Sequence, residues 1–118
     1  MSSPARLRLV VEAQGPVTTA HFEGQDIVLG EEAAKEAVEE LSSLAGGTVV
    51  LSLAGVVYLD SAALGKLVFL QKHLRAAGRS LVLCDLSSAV RDRFAYTRLD
   101  KYLDIRPGEP PEAPGPPG

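Results

Sequence analysis

The alternation of apolar and polar residues changes period several times along the chain, and each change marks an element. "RLRLVVEAQG" alternates loosely and "PVTTAHFEG" follows after Gly15-Pro16, which predicts two strands joined by a tight turn, an opening β-hairpin. From Gly30 the spacing turns helical. In "EEAAKEAVEELSSLAGG", Ala34, Ala37, Val38, Leu41 and Leu44 share a side, while Glu31, Glu32, Glu36, Glu39 and Glu40 lie elsewhere. This predicts an amphipathic helix closed by Gly46-Gly47.

"TVVLSL" has no polar face, as expected of a strand covered on both sides or lying centrally in its sheet. The run "VVYLDSAALGK" then ends abruptly at Asp60-Ser61, and a second helix is predicted from Ser61 to about Ala77, stopped by Gly78. "SLVLCDL" reads as another buried strand. "SSAVRDRFAYTRL" reads as a third, shorter helix with Ser87 or Ser88 as its N-cap, and "KYLDI" as a last short strand. Strands alternating with helices after a hairpin give a small α/β domain, with a mixed sheet of about five strands and about three helices.

Composition narrows the function classes. The 118 residues leave room for one domain, placed at residues 1–105. The remainder, "RPGEPPEAPGPPG" at 106–118, carries six of the eight prolines and is expected to be disordered. A formal charge of −3 argues against nucleic acid as the main partner, although a local basic patch is compatible with it. No apolar run approaches the roughly 18 residues that span a bilayer, and "MSSPARLRLVVEAQG" lacks the features of a signal peptide, so a cytoplasmic protein without membrane insertion is expected. Cys84, inside "SLVLCDL", reads as a small buried hydrophobe, with a reactive thiol as the alternative.

The Asp60-Ser61 seam carries the first functional candidate. An acidic residue just before a helix caps a free N–H of the first turn and complements the helix dipole, so Asp60 is explained by structure as readily as by function. Ser61 is not needed as a cap if Asp60 supplies one, and its hydroxyl stands where free N–H groups would stabilise a phosphate. At about 100° per residue, Ala63, Leu64, Leu67, Leu70 and Leu74 share the core side of this helix. The opposite side holds Ala62, Gly65, Phe69 and Ala76, rimmed by Lys66, Lys72 and His73. An aromatic beside a glycine on the face that should be solvated suggests a docking surface for another protein, with Phe69 as anchor. Cover from the proline-rich segment or a loop is the other explanation.

The stretch from "VVLSLAGVVYLDSAALGK" to "RSLVLCDLSSAV" and "TRLDKYLDI" resembles the STAS domain of bacterial anti-sigma factor antagonists over roughly residues 6 to 105. The family's Asp-Ser-(Ser/Thr)-Gly-Leu-Gly segment stands here as Asp60-Ser61-Ala62-Ala63-Leu64-Gly65. The resemblance implies that Ser61 is phosphorylated by a partner that is both a serine kinase and an anti-sigma factor. The unphosphorylated protein captures that partner and frees its sigma factor, phosphorylation releases the capture, and a serine phosphatase restores it. Partner-binding residues are then Asp26, Asp60, Ser61, Ala62, Gly65, Lys66, Phe69, Lys72 and His73. No catalytic residue, metal or cofactor is implied.

The chain departs from that pattern at four places. Ala62 and Ala63 replace the motif's second hydroxyl and its glycine. Ser52 stands where the family commonly has Asp or Asn. "EGQDIVLGEEA" matches only loosely the loop before the first helix, with Asp26 as its best acidic candidate. The proline-rich end replaces a final helix, which would leave apolar surface open and favour a weak homodimer.

Two other roles compete. An enzyme is disfavoured, since there is no glycine-rich phosphate loop and His21 and His73 lack metal-ligand spacing. Ser61 and His73 would lie about 18 Å apart along one helix, too far for a triad. A non-switching STAS adaptor, in a signalling assembly or beside the nucleotide-binding component of a lipid-transport ABC system, keeps the fold but not the phosphorylation.

Overall fold

Gly15 turns the chain with φ +62°, a left-handed conformation that costs glycine little. On either side β1 (Leu9–Gln14) and β2 (Val17–Phe22) pair antiparallel, with Val11 opposite Ala20, as the alternation predicts. The computed structural model describes residues 8–44 and 47–106. Within them follow β3 (Ile27–Leu29), α1 (Glu31–Ser42), β4 (Thr48–Ser52), β5 (Val56–Leu59), α2 (Ser61–Ala76), β6 (Ser80–Cys84), α3 (Ser88–Tyr96), a 3-10 turn (Leu99–Lys101) and β7 (Asp104–Arg106).

Five strands form the main sheet in the order β1-β2-β4-β6-β7, parallel from β2 onward. One face of this sheet, including Ala20, Phe22, Val49, Leu51, Leu81 and Leu83, shares a core with α1 and α2. Both helices contribute the sides that periodicity picked out: Ala34, Ala37, Val38 and Leu41 from α1, and Ala63, Leu64, Leu67, Leu70 and Leu74 from α2. Leu44 is only half-buried. Val50 and Val82, neighbours in the β4–β6 register, point the other way and pack with Cys84 and Val17. β4 is therefore central and apolar on both faces, which explains a strand with no polar side.

Several boundaries differ from the sequence reading. α1 stops at Ser42, before the Gly46-Gly47 pair, of which Gly46 lies outside the described residues. The hydroxyls of Ser42 and Ser43 donate to the Glu39 and Glu40 carbonyls at 3.1 and 2.9 Å, a local bond that competes with the helix. α3 stops at Tyr96 rather than running to Leu99, because Thr97 Oγ1 donates to the Arg93 carbonyl at 2.9 Å and Arg98 turns left-handed at φ +63°. Lys101 and Tyr102 consequently fall outside the last strand, and Arg106, assigned by sequence to the proline-rich segment, pairs with Cys84 in β7. The remainder of that segment, 107–118, lies outside the described residues.

The largest addition is a second sheet, β3 parallel to β5, with Leu29 opposite Leu59. The strand before Ser61 is thus held by β3 and not by the main sheet. Gly55 makes this possible: with φ +85° it brings the backbone so close that a Cβ there would lie 2.5 Å from the Gly24 carbonyl oxygen. Ile27 N–H donates to the Gly55 carbonyl at 2.8 Å and starts the pairing.

Candidate functional site: the start and outer face of helix α2

β5 delivers the chain to α2 with its last backbone group fixed, since Asp60 N–H donates to the Leu29 carbonyl at 3.2 Å. Asp60 is extended (φ −84°, ψ 174°), and its Oδ1 accepts the Ala63 N–H at 2.8 Å, the side-chain N-cap expected from sequence. Leu64 N–H donates to the Asp60 carbonyl at 3.0 Å, so the third and fourth N–H groups of the helix are satisfied by this one residue. The N–H groups of Ser61 and Ala62 remain at the open positive end. Ser61 is exposed, and its hydroxyl has no hydrogen-bond partner among the described residues.

The outer face follows from there. Gly65 is exposed, and a Cβ added to it would meet nothing within 4 Å, so the surface is open to close approach. Phe69 is 58% exposed and its ring stacks on His73, centroids 6.1 Å apart and planes 20° from parallel. Lys72 is exposed, while Ala62 and Lys66 are half-buried. Serine, aromatic and cations thus form one continuous strip. Among the described residues, no loop covers Phe69 enough to bury it.

Ala63 behaves differently from what its place in the motif suggests. Its methyl is fully buried and its N–H is the one that Asp60 caps. Of the two alanines that replace family residues, only Ala62 touches the surface beside Ser61.

Asp26 is not brought next to Ser61. It is exposed, in a left-handed conformation (φ +53°), in the turn before β3, whereas Ser61 follows the end of β5. The four residues of β5, at about 3.3 Å each, separate the two ends of the small sheet by roughly 13 Å.

Ser52 is buried at the end of β4, where its hydroxyl donates to Asp85 Oδ2 at 2.8 Å and accepts the Ala54 N–H at 3.2 Å. The carboxylate missing from β4 is supplied by Asp85, just after β6 and left-handed at φ +60°. Burial first, and then the neighbouring Asp85 charge, push the Cys84 thiol from its ordinary 9.0 up to about 12, so it is held as a neutral, unreactive thiol.

A second exposed apolar area was not found from sequence. Val57 and Tyr58 of β5 and Val28 of β3 point outward, Tyr96 of α3 stands beside them, and the Arg93 guanidinium lies 4.8 Å from the Tyr58 ring centroid. Consecutive exposure of Val57 and Tyr58 accompanies a shift in register between Ile27 and Val28, which a strict period of two cannot anticipate.

Among the described residues, no group of His, Cys, Asp and Glu could hold a metal ion, and no helix is long and apolar enough to cross a membrane. What the site presents is a helix that begins with an exposed serine and continues as a flat aromatic and cationic strip.

The chain belongs to the STAS domain family, whose model matches residues 5–110. It is similar to the crystal structure of an anti-sigma factor antagonist from Mycobacterium paratuberculosis, with a TM-score of 0.74 and 21% identity over 92% of each chain. The phosphorylated form of SpoIIAA, a Bacillus cell fate determinant, matches with a TM-score of 0.66 and 15% identity over 86% of this chain and 92% of that one. The unphosphorylated form of the anti-sigma factor antagonist SpoIIAA gives 0.65 and 14% over 86% and 90%. At these identities the likeness establishes the fold.

Proposed function

We propose that this STAS domain is an anti-sigma factor antagonist that works by partner switching, capturing an anti-sigma factor that is also a serine kinase through the outer face of α2. The reading rests on Ser61: it is exposed at the first position of the helix, unneeded as a cap because Asp60 serves, and continuous with the Phe69–His73 strip. Its support from outside the chain is the family itself and the antagonists among the proteins of similar fold.

The charges set the direction of the switch. Lys66, Lys72 and His73 rim the strip, so a complementary partner carries acidic groups opposite them. Phosphorylation of Ser61 adds about −1.5 to −2 charges at the edge of this strip. The free N–H groups of Ser61 and Ala62 and the helix dipole stabilise the phosphate on this side, while the partner's acidic surface is repelled. The domain keeps its fold and loses its partner. A serine phosphatase reverses the change, and the cycle would run in the cytoplasm.

The test is capture from a lysate of the native cells, with Ser61→Ala and Ser61→Asp baits compared. Strong retention of a kinase-type anti-sigma factor by Ser61→Ala and weak retention by Ser61→Asp is expected. Equal retention of a partner by both baits would replace the switch with a constitutive STAS adaptor.

A further inference from the structure

A groove of about 420 Å³ runs between α3 and β5, and none of its lining belongs to α2. Ala89, Asp92, Arg93 and Tyr96 line it from one face of α3, at helical spacing, and Val57 and Tyr58 line it from β5. Two tyrosines form its walls: Tyr58 is 46% and Tyr96 90% exposed, and the Arg93 guanidinium lies 4.8 Å from the Tyr58 ring centroid. Exposed apolar side chains gathered in one concavity mark a binding surface.

The chain itself carries a segment that fits. Proline-rich sequences bind in aromatic-walled grooves, because the extended polyproline II helix has little conformational entropy left to lose and its rings lie flat against aromatic side chains. Residues 107–118, "PGEPPEAPGPPG", are of this composition. Length agrees: Ala89 and Tyr96 are seven helical residues apart, about 10 Å, and "EPPE" at 109–112 covers about 9 Å at roughly 3.1 Å per residue. Charge agrees as well. Residues 88–98 hold Arg91, Arg93 and Arg98 against Asp92, whereas 107–118 hold Glu109 and Glu112 and no cation. Reach is sufficient, since Arg106 pairs with Cys84 and Cys84 is five residues before Ala89. The end of β7 therefore lies within about 23 Å of the groove, and twelve residues at roughly 3.1 Å each cover about 37 Å.

We propose that the proline-rich segment 107–118 docks in the α3–β5 groove of its own chain, its prolines against Tyr58 and Tyr96 and its glutamates toward the arginines of α3. The Phe69 strip is flat and offers no second wall to such a segment. This docking is independent of partner switching at Ser61.

The test is paramagnetic relaxation enhancement by NMR in the full chain. A nitroxide is attached to Ala113→Cys at pH 7, where the buried Cys84 stays a neutral thiol and takes no label. Amide signals of Val57, Tyr58, Ala89 and Arg93 should lose at least half their intensity relative to the reduced label, whereas those of Phe69 and His73 keep theirs. Tyr96→Ala, at a position too exposed to support the core, should restore the groove signals. Losses centred on the Phe69 strip, losses spread evenly over the surface, or a pattern unmoved by Tyr96→Ala would overturn the proposal. So would equal losses when the nitroxide and the observed amides sit on different chains in a mixture, since the segment would then belong to a second copy.

Discussion

Asp60 Oδ1 accepts the backbone N–H of Ala63 at 2.8 Å, and that bond is what releases Ser61 from structural duty. The cap fixes the helix start, and the serine one residue on is left at the surface, its hydroxyl without a hydrogen-bond partner among the described residues. Asp60→Ala should therefore cost about 1 kcal/mol of folding stability, within a range of 0.5–2 for such caps. In a domain of this size that is roughly 4–8 °C in the melting midpoint. Asp60→Asn should stay close to the parent protein, and chemical denaturation of both variants separates a capping role from a role confined to charge.

Ser61→Asp should bind its partner weakly without losing stability. A carboxylate in the first turn lies at the positive end of the dipole and contributes about 0.3–1 kcal/mol in favour of the helix. A thermal midpoint equal to or above that of the parent, together with lost capture, is the expected pair of results. A large fall in the midpoint would mean that the variant acts by unfolding.

Phe69 and Gly65 test the strip in opposite ways. Phe69→Ala should weaken capture by about 1 kcal/mol or more, as for an anchor residue, while folding stability hardly moves because the ring is 58% exposed. Gly65→Ala meets nothing within 4 Å and should stabilise the helix by about 0.5–1 kcal/mol. Its methyl nevertheless stands on the proposed docking surface, so capture should fall while stability rises. Calorimetry of binding and melting on the same two variants checks both statements.

Gly55 holds the small sheet together by close approach. Gly55→Ala adds a Cβ that would lie 2.5 Å from the Gly24 carbonyl oxygen, on a backbone at φ +85°. A loss of about 1–3 kcal/mol is expected from strain at such a position, with the largest increase in amide exchange at Ile27, whose N–H donates to the Gly55 carbonyl.

Cys84 gives a pH signature. Its thiol is pushed from 9.0 up to about 12 by burial and by Asp85. A raised value in the folded state means that the native protein keeps its proton after the unfolded chain has lost it. The associated stability is fully present below pH 9 and is lost as pH rises from 9 toward 12. Denaturation in that window should show a steeper decline for the parent than for Cys84→Ala, and alkylation of the native thiol at pH 8 should be slow compared with the unfolded chain.

The sequence showed the frame of this domain where periodicity is strong and local. The core side of α2, Ala63 through Leu74, follows from a 3.6-residue period, and the Asp60 cap follows from side-chain chemistry at a helix start. What escaped was long-range. β3 and β5 pair with each other because Gly24 and Gly55 approach closely, a contact between residues 31 apart that leaves no periodic trace. A separation of 33 residues likewise hid Asp85 as the partner of Ser52, and Asp26 lies at the end of the small sheet away from Ser61. Ser42-Ser43 and Thr97-Arg98 ended helices earlier than glycine and leucine positions implied, because short hydroxyl side chains bond back to the preceding carbonyls. The strip from Ser61 through Phe69 to His73 was legible because all its members stand on one helix.

The most direct test of the central claim is the phosphorylation state of Ser61 in protein purified from its native cells under phosphatase inhibition, by intact mass and then peptide mapping. The account predicts a fraction carrying one phosphate, mapped to Ser61, that changes with growth or stress. A chain unmodified at Ser61 under all such conditions would contradict it and leave the α2 face as the surface of a constitutive adaptor.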